Sequence, residues 1–250
     1  MWQRLPRGAQ ALVEVGLLFL PGIPAYLWIW PNVENTDWLK PVQVLVYLYL
    51  GAGCVIIGRR RWSWDQLGLN RNGIGISLIC GVVLIAGRIL VTLSVVWPIG
   101  PTPITIGQLI GDMVFYFALV GLIEELLFRG VIYRALDEWR GTRWAIWGSA
   151  VMFAVYHVGW QGIAAIGMLL FGVIFAVMRW RAGGIVGLIV VHGWMDVIAT
   201  IMLPDMDILQ LGRPTLSSPA MLIAGYALIL ITPIYLWKFY PVNTLTRRLI

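Results

Sequence analysis

The sequence predicts an all-α fold, a polytopic membrane bundle of about eight transmembrane helices, and three observations carry that expectation. Of the 250 residues 60% are hydrophobic and 12% charged, where a soluble domain carries about 25% charged residues. Mean hydropathy is +0.83, and the apolar residues gather in runs close to the ~20 residues that a helix needs to cross the hydrocarbon core. The cationic residues, finally, sort to one side of those runs.

In chain order the runs cover 9–30, 41–58, 74–97, 106–133, 144–158, 160–179, 183–203 and 218–238. The first follows Arg4 and Arg7 as a signal peptide would, but Ile23-Pro24-Ala25 is a poor cleavage motif, so it is read as the first helix. Between the second and third runs, Trp62 to Arg71 is too short and polar to span, and is expected along the cytoplasmic membrane surface. The fifth run is short enough to tilt or dip. Connections are brief and no polar stretch is long enough to fold separately, so residues 1–250 form a single transmembrane domain. Cys54 and Cys80 fall within spans, which indicates neither a disulfide framework nor a thiolate metal site.

With the N-terminus in the cytoplasm and one crossing per run, fifteen of the 18 Lys and Arg residues fall inside. Lys40 and Arg213 fall outside and Arg88 lies in a span, so the pattern obeys the positive-inside rule with both termini cytoplasmic. The net charge of +6 is then explained by loops that meet anionic headgroups, and no nucleic acid is called for. Tryptophans such as Trp38, Trp62, Trp64, Trp139, Trp144 and Trp237 lie near span ends, where indoles favour the interface.

An ionisable side chain at bilayer depth costs roughly 2.5 to 3.5 kcal/mol on insertion scales, so each is a functional candidate. They are Glu14, Arg88, Asp112, Glu124, Glu125, His157, His192 and Asp196. Glu14 and Arg88 are read as a brace pairing across helices, and Asp112 as solvated near the outer end. Glu125 and Arg129 are four residues apart, acid first, and share a helix face as an ion pair. Glu124 points about 100° away, so its partner must come from another helix, or it must stay protonated or face water. His192 and Asp196 share a face of the seventh run at a depth similar to Glu124, and His157 with Phe153 one turn before it can join from the fifth. The chain has 2 histidines, and both lie in spans.

The pattern Glu124-Glu125-x-x-x-Arg129, Phe153-x-x-x-His157, His192-x-x-x-Asp196, in that order on successive helices, resembles the CAAX-protease and bacteriocin-processing (CPBP, or Abi) family of intramembrane endopeptidases. The motif core spans 121–200, and the Leu-Gly-Leu surface segment agrees with it. The resemblance implies that Glu124 activates water, that Glu125 and Arg129 brace the fourth helix, and that His157 and His192 complete the site. It also implies an integral, multi-pass protein of a bacterial or archaeal plasma membrane. One position departs: many members of that family have Asn where this chain has Asp196, and an ionised Asp cannot donate to an oxyanion. Asp196 is therefore read as orienting His192, holding a proton, or helping to bind a metal.

The chemistry also stands on its residues, because amide hydrolysis needs a base for water, a stabiliser for the oxyanion and a proton for the leaving amine. Glu124 can be the base; the histidines can be oxyanion donors or neutral zinc ligands. No His-Glu-x-x-His zinc helix is present. A divalent metal such as zinc, held by Glu124, His157, His192 and Asp196, stays open beside a metal-free glutamate and histidine mechanism. The expected partners are the bilayer and a peptide or membrane-protein substrate. A non-catalytic bacteriocin-immunity or binding protein and a proton-coupled carrier are the other classes compatible with intramembrane Glu, His and Asp, although no inverted repeat supports the carrier.

Overall fold

A backbone in hydrocarbon has no water to satisfy its N–H and C=O groups, and the apolar runs meet that demand as helices. The structure is a computed structural model that describes residues 4–22, 29, 32, 36–96, 104–161, 165–202 and 218–241. Its principal helices are α1 (Arg7–Phe19), α2 (Leu39–Arg59), α3 (Ile74–Val96), α4 (Ile106–Arg140), α5 (Thr142–Gln161), α6 (Ala165–Ala182), α7 (Val186–Met202) and α8 (Pro219–Lys238). No strand occurs among the described residues.

Each expected run coincides with a helix, but not every helix has the dimensions of a crossing. Four are long and apolar enough: α2, the Ile74–Ser94 part of α3, α4 and α8; Val186–Ile201 of α7 is a shorter apolar helix. The described part of α1 has 13 residues, and the second half of its run lies largely outside the described residues. α6 carries Arg179 and Arg181 in its last turn. The coarser expectation, an all-helical integral membrane protein, holds. The outer surface agrees, since Ile79, Val82 and Ile223 are 65%, 68% and 70% exposed, a surface suited to lipid and not to water.

Small residues set how closely the helices approach, as is usual where lipid competes for apolar side chains. α6 packs along α5 and α8 along α3. At the centre, a Cβ added to Gly121 of α4 would lie 3.0 Å from the Ile189 carbonyl oxygen of α7, and one at Gly193 of α7 would lie 2.7 Å from the Phe117 ring. α4 is one continuous helix with wider π turns at Phe115–Gly121 and Leu126–Ile132, separated by the α-helical stretch Leu122–Glu125. Such π turns recur at functional sites because they re-aim side chains without ending the helix. The paired glutamates sit on the short stretch between them.

Three sequence expectations need correction. Glu14 does not pair with Arg88: α1 packs on α2 and α4, so the Glu14 carboxylate meets Arg61, just beyond the end of α2, at 2.6 Å. Asp112 is not solvated, since its carboxylate is buried beside Lys40 of α2, with Nζ 3.2 Å away. The Trp62 to Arg71 segment does not lie wholly on a surface, because Trp62 and Leu67 are buried in the core. Trp62 Nε1 donates to Glu138 at 2.8 Å, Arg179 Nη2 donates to the Gln66 carbonyl at 3.1 Å, and Ile185 N–H donates to the Gly68 carbonyl at 2.8 Å. Gly68 can take this path because its φ of 87° suits a residue without Cβ.

Candidate active site

The Gly121 and Gly193 contacts draw α4 against α7, and the side chains one turn further along complete a buried polar cluster. Glu125 and Arg129 are fully buried on α4, joined at 3.0 Å between Oε1 and Nη1, as their spacing predicts. Arg129 Nη2 also donates to the Gly172 carbonyl at 3.4 Å, and its guanidinium lies 4.3 Å from the Phe153 ring centre and 5.2 Å from that of Phe175. A buried guanidinium is held here by one carboxylate, one carbonyl and two aromatic faces.

Glu124 finds its partners on three other helices. Its Oε1 accepts a 2.7 Å hydrogen bond from the Tyr47 hydroxyl of α2. Its Oε2 is buried and lacks a hydrogen-bond partner among the described residues, yet two imidazoles approach it. His157 Nε2 of α5 is 3.8 Å away and His192 Nε2 of α7 is 3.7 Å away. Both distances exceed a direct hydrogen bond.

The other nitrogen of each ring is fixed. His157 Nδ1–H donates to the Phe153 carbonyl at 2.8 Å, and the Phe153 ring packs 4.4 Å from the imidazole. His192 Nδ1–H donates to Glu125 Oε1, also at 2.8 Å. A carbonyl or an Arg-paired carboxylate can only accept, so each ring carries its hydrogen on Nδ1 and turns Nε2 towards Glu124. Asp196 Oδ2 completes the group at 3.4 Å from His192 Nε2. Aromatic rings wall the cluster, with Phe175 5.7 Å from the His192 ring and Phe128 5.2 Å from Phe153.

The structure thus brings together Glu124, Glu125, Arg129, Phe153, His157, His192 and Asp196, while Glu14, Asp112 and Arg88 lie outside the Glu124 shell. Residues 106–198, which hold every one of the seven, match a family model described as type II CAAX prenyl endopeptidase Rce1-like. The match agrees with the CAAX-protease resemblance read from the motifs, and a protease-type function goes with that family. No curated protein and no solved structure matches the chain.

Sequence reasoning missed Tyr47, which lies outside the Rce1-like segment. Tyr156 of α5 lies close enough for the two hydroxyls to interact. The signal was present, because a tyrosine hydroxyl within a span needs a partner as surely as a carboxylate does. Among the described residues no group of three or more His, Cys, Asp or Glu side chains is placed to hold a metal ion. Tyr47 holds Glu124 Oε1 and Glu125 holds His192 Nδ1, so the atoms that face one another are Glu124 Oε2 and the Nε2 atoms of His157 and His192.

Proposed function

We propose that this protein is an intramembrane endopeptidase that hydrolyses a peptide bond of a membrane-associated protein or peptide, with Glu124 activating the water. One observation carries the reading: Glu124 Oε2 is buried without a hydrogen-bond partner among the described residues, and two imidazole Nε2 atoms face it at 3.7 and 3.8 Å. Separations just beyond hydrogen-bond length suit three groups that share one water-sized molecule.

In this mechanism Glu124 Oε2 takes a proton from water as the oxygen attacks the scissile carbonyl. Tyr47 holds Oε1, so the base is aimed before substrate arrives. The carbonyl electrons move to oxygen, and the protonated form of His192 or His157 stabilises that oxyanion through Nε2–H. Collapse of the tetrahedral intermediate breaks the C–N bond, and the proton held by Glu124 passes to the leaving amine. Water is thus divided between a new carboxyl group and a new amine. Glu125 and Arg129 take no part in bond making; they hold His192 in its tautomer.

The deciding experiment is comparative peptidomics of cells that produce the native protein or Glu124→Gln. The glutamine keeps shape and the Tyr47 contact but removes the base, so peptide ends present with the native protein should disappear. Identical sets of ends, with both proteins expressed, would overturn the hydrolase reading in favour of a binding protein.

A further inference from the structure

Among the described residues, three carboxylates at membrane depth each meet a cation, and Arg88 stands apart from these pairs. Glu14 meets Arg61, Asp112 meets Lys40, and Glu125 meets Arg129. Arg88, in the middle of α3, has no hydrogen bond or ion pair among the described residues; its guanidinium stacks 5.7 Å from the Phe171 ring centre. A cation at this depth costs free energy unless something offsets it.

Its position connects it to the candidate site. α3 and α7 run side by side, with Ser77 against Gly187 and Gly81 against Val191. The same register brings Arg88 level with Ile198, within a turn of Asp196 on α7. The Arg88 and Asp196 charges are close enough to interact, although no ion pair joins them. Phe171 sits one turn from Phe175 on α6, and Phe175 is the ring that touches His192. Arg88 therefore stands at the edge of the cluster, its planar fork unspent. A guanidinium in that state takes a carboxylate through two parallel N–H bonds.

We propose that Arg88 seats a carboxylate of the substrate peptide beside the Glu124 cluster and so sets which peptides are bound. The assignment rests on the hydrolase reading for its role in specificity, but the binding it describes can be measured without turnover. Arg88 lies outside the Rce1-like segment, so this contact is a feature of the chain beyond the matched motif. The carboxylate is either the C-terminal α-carboxylate or an acidic side chain, and the two are separable by synthesis.

The test uses the full chain in lipid nanodiscs, carrying Glu124→Gln so that nothing is consumed. Three fluorescent Leu- and Ala-rich nonapeptides serve as probes: a free acid, its C-terminal amide, and that amide with one internal Glu. Either the free acid or the Glu-bearing peptide should bind about tenfold tighter than the plain amide, the scale of one charge-assisted contact. Adding Arg88→Gln should erase that preference, while Arg88→Lys, which keeps the charge without the fork, should retain part of it and controls for folding. Equal binding of all three peptides, or a preference that survives Arg88→Gln, would overturn the proposal. Cleavage is assayed separately with the parent protein. If it cuts none of the peptides, the hydrolase reading suffers, while the binding preference still decides the role of Arg88.

Discussion

One oxygen of Glu125 serves two helices: Oε1 accepts from Arg129 Nη1 at 3.0 Å on its own helix and from His192 Nδ1 at 2.8 Å across to α7. The carboxylate therefore links the stability of α4 to the orientation of His192. Glu125→Gln removes the charge that balances a fully buried Arg129, and breaking one side of a buried pair costs about 3–5 kcal/mol. The melting temperature in detergent should fall clearly below that of the native protein. An unchanged melting temperature would mean that Arg129 is balanced by something other than Glu125.

Tyr47 tests the aim of Glu124 without touching its charge. Tyr47→Phe keeps the ring and its 6.1 Å edge contact with Phe115 but deletes the donor to Oε1. A hydrogen bond to a charged group contributes about 1.5–3 kcal/mol, so kcat should drop roughly ten- to a hundredfold by the same measure. KM should move little, because the hydroxyl is directed at the base. A change confined to KM would place Tyr47 against substrate instead.

The helices and the acid, imidazole and arginine core were legible in the sequence for separate physical reasons. Apolar run length fixed where α2, α3 and α8 begin and end to within a few residues, and the four-residue spacings placed Glu125 with Arg129 and His192 with Asp196. Pairing between helices was less legible, because it depends on which helices touch. Glu14 could be matched to Arg88 on depth alone, yet α1 lies against α2 and meets Arg61. Asp112 and Lys40 are separated by 72 positions, and nothing local to either announces the other. Crossing number was less legible, because charge sorting treats every run as one span, while length and composition mark four helices among the described residues as long and apolar enough to cross.

The placement of donors around Glu124 bears on metal dependence. Since no described group of three His, Cys, Asp or Glu side chains has metal-holding geometry, hydrolysis should persist after prolonged treatment with EDTA or 1,10-phenanthroline. Activity is read on reconstituted protein with a fluorogenic peptide. Loss of activity that returns with added zinc would show that the side chains rearrange around an ion.

The close approach of α4 and α7 should matter more to catalysis than to folding. A Cβ at Gly121 would stand 2.9 Å from the Tyr116 carbonyl oxygen and 3.0 Å from that of Ile189, and backbone does not swing aside as a side chain does. Gly121→Ala should push α7 outward by tenths of an ångström and lengthen the gap between Glu124 and His192. Turnover should fall at least about tenfold, because misplacement of this order is costly in a preorganised site, while helix content by circular dichroism stays unchanged. Native turnover in Gly121→Ala would show that the interface relaxes elsewhere.

Asp196 stands where a negative charge is hard to reconcile with oxyanion chemistry. Its Oδ2 lies 3.4 Å from His192 Nε2, one of the two imidazole nitrogens that can meet the developing anion. While ionised, Asp196 competes for that N–H and repels the anion; Asn at the same position can donate through its amide. Asp196→Asn should therefore keep or raise kcat, with the gain bounded by about 2.7–4 kcal/mol, the measured scale of one oxyanion donor. A fall of about tenfold or more, ~1.4 kcal/mol, in a variant that still melts like the native protein would assign the carboxylate a different task. It would then be needed to hold His192 protonated, and replacement of His192 by Gln in the Asp196→Asn background should cause no further loss of that part.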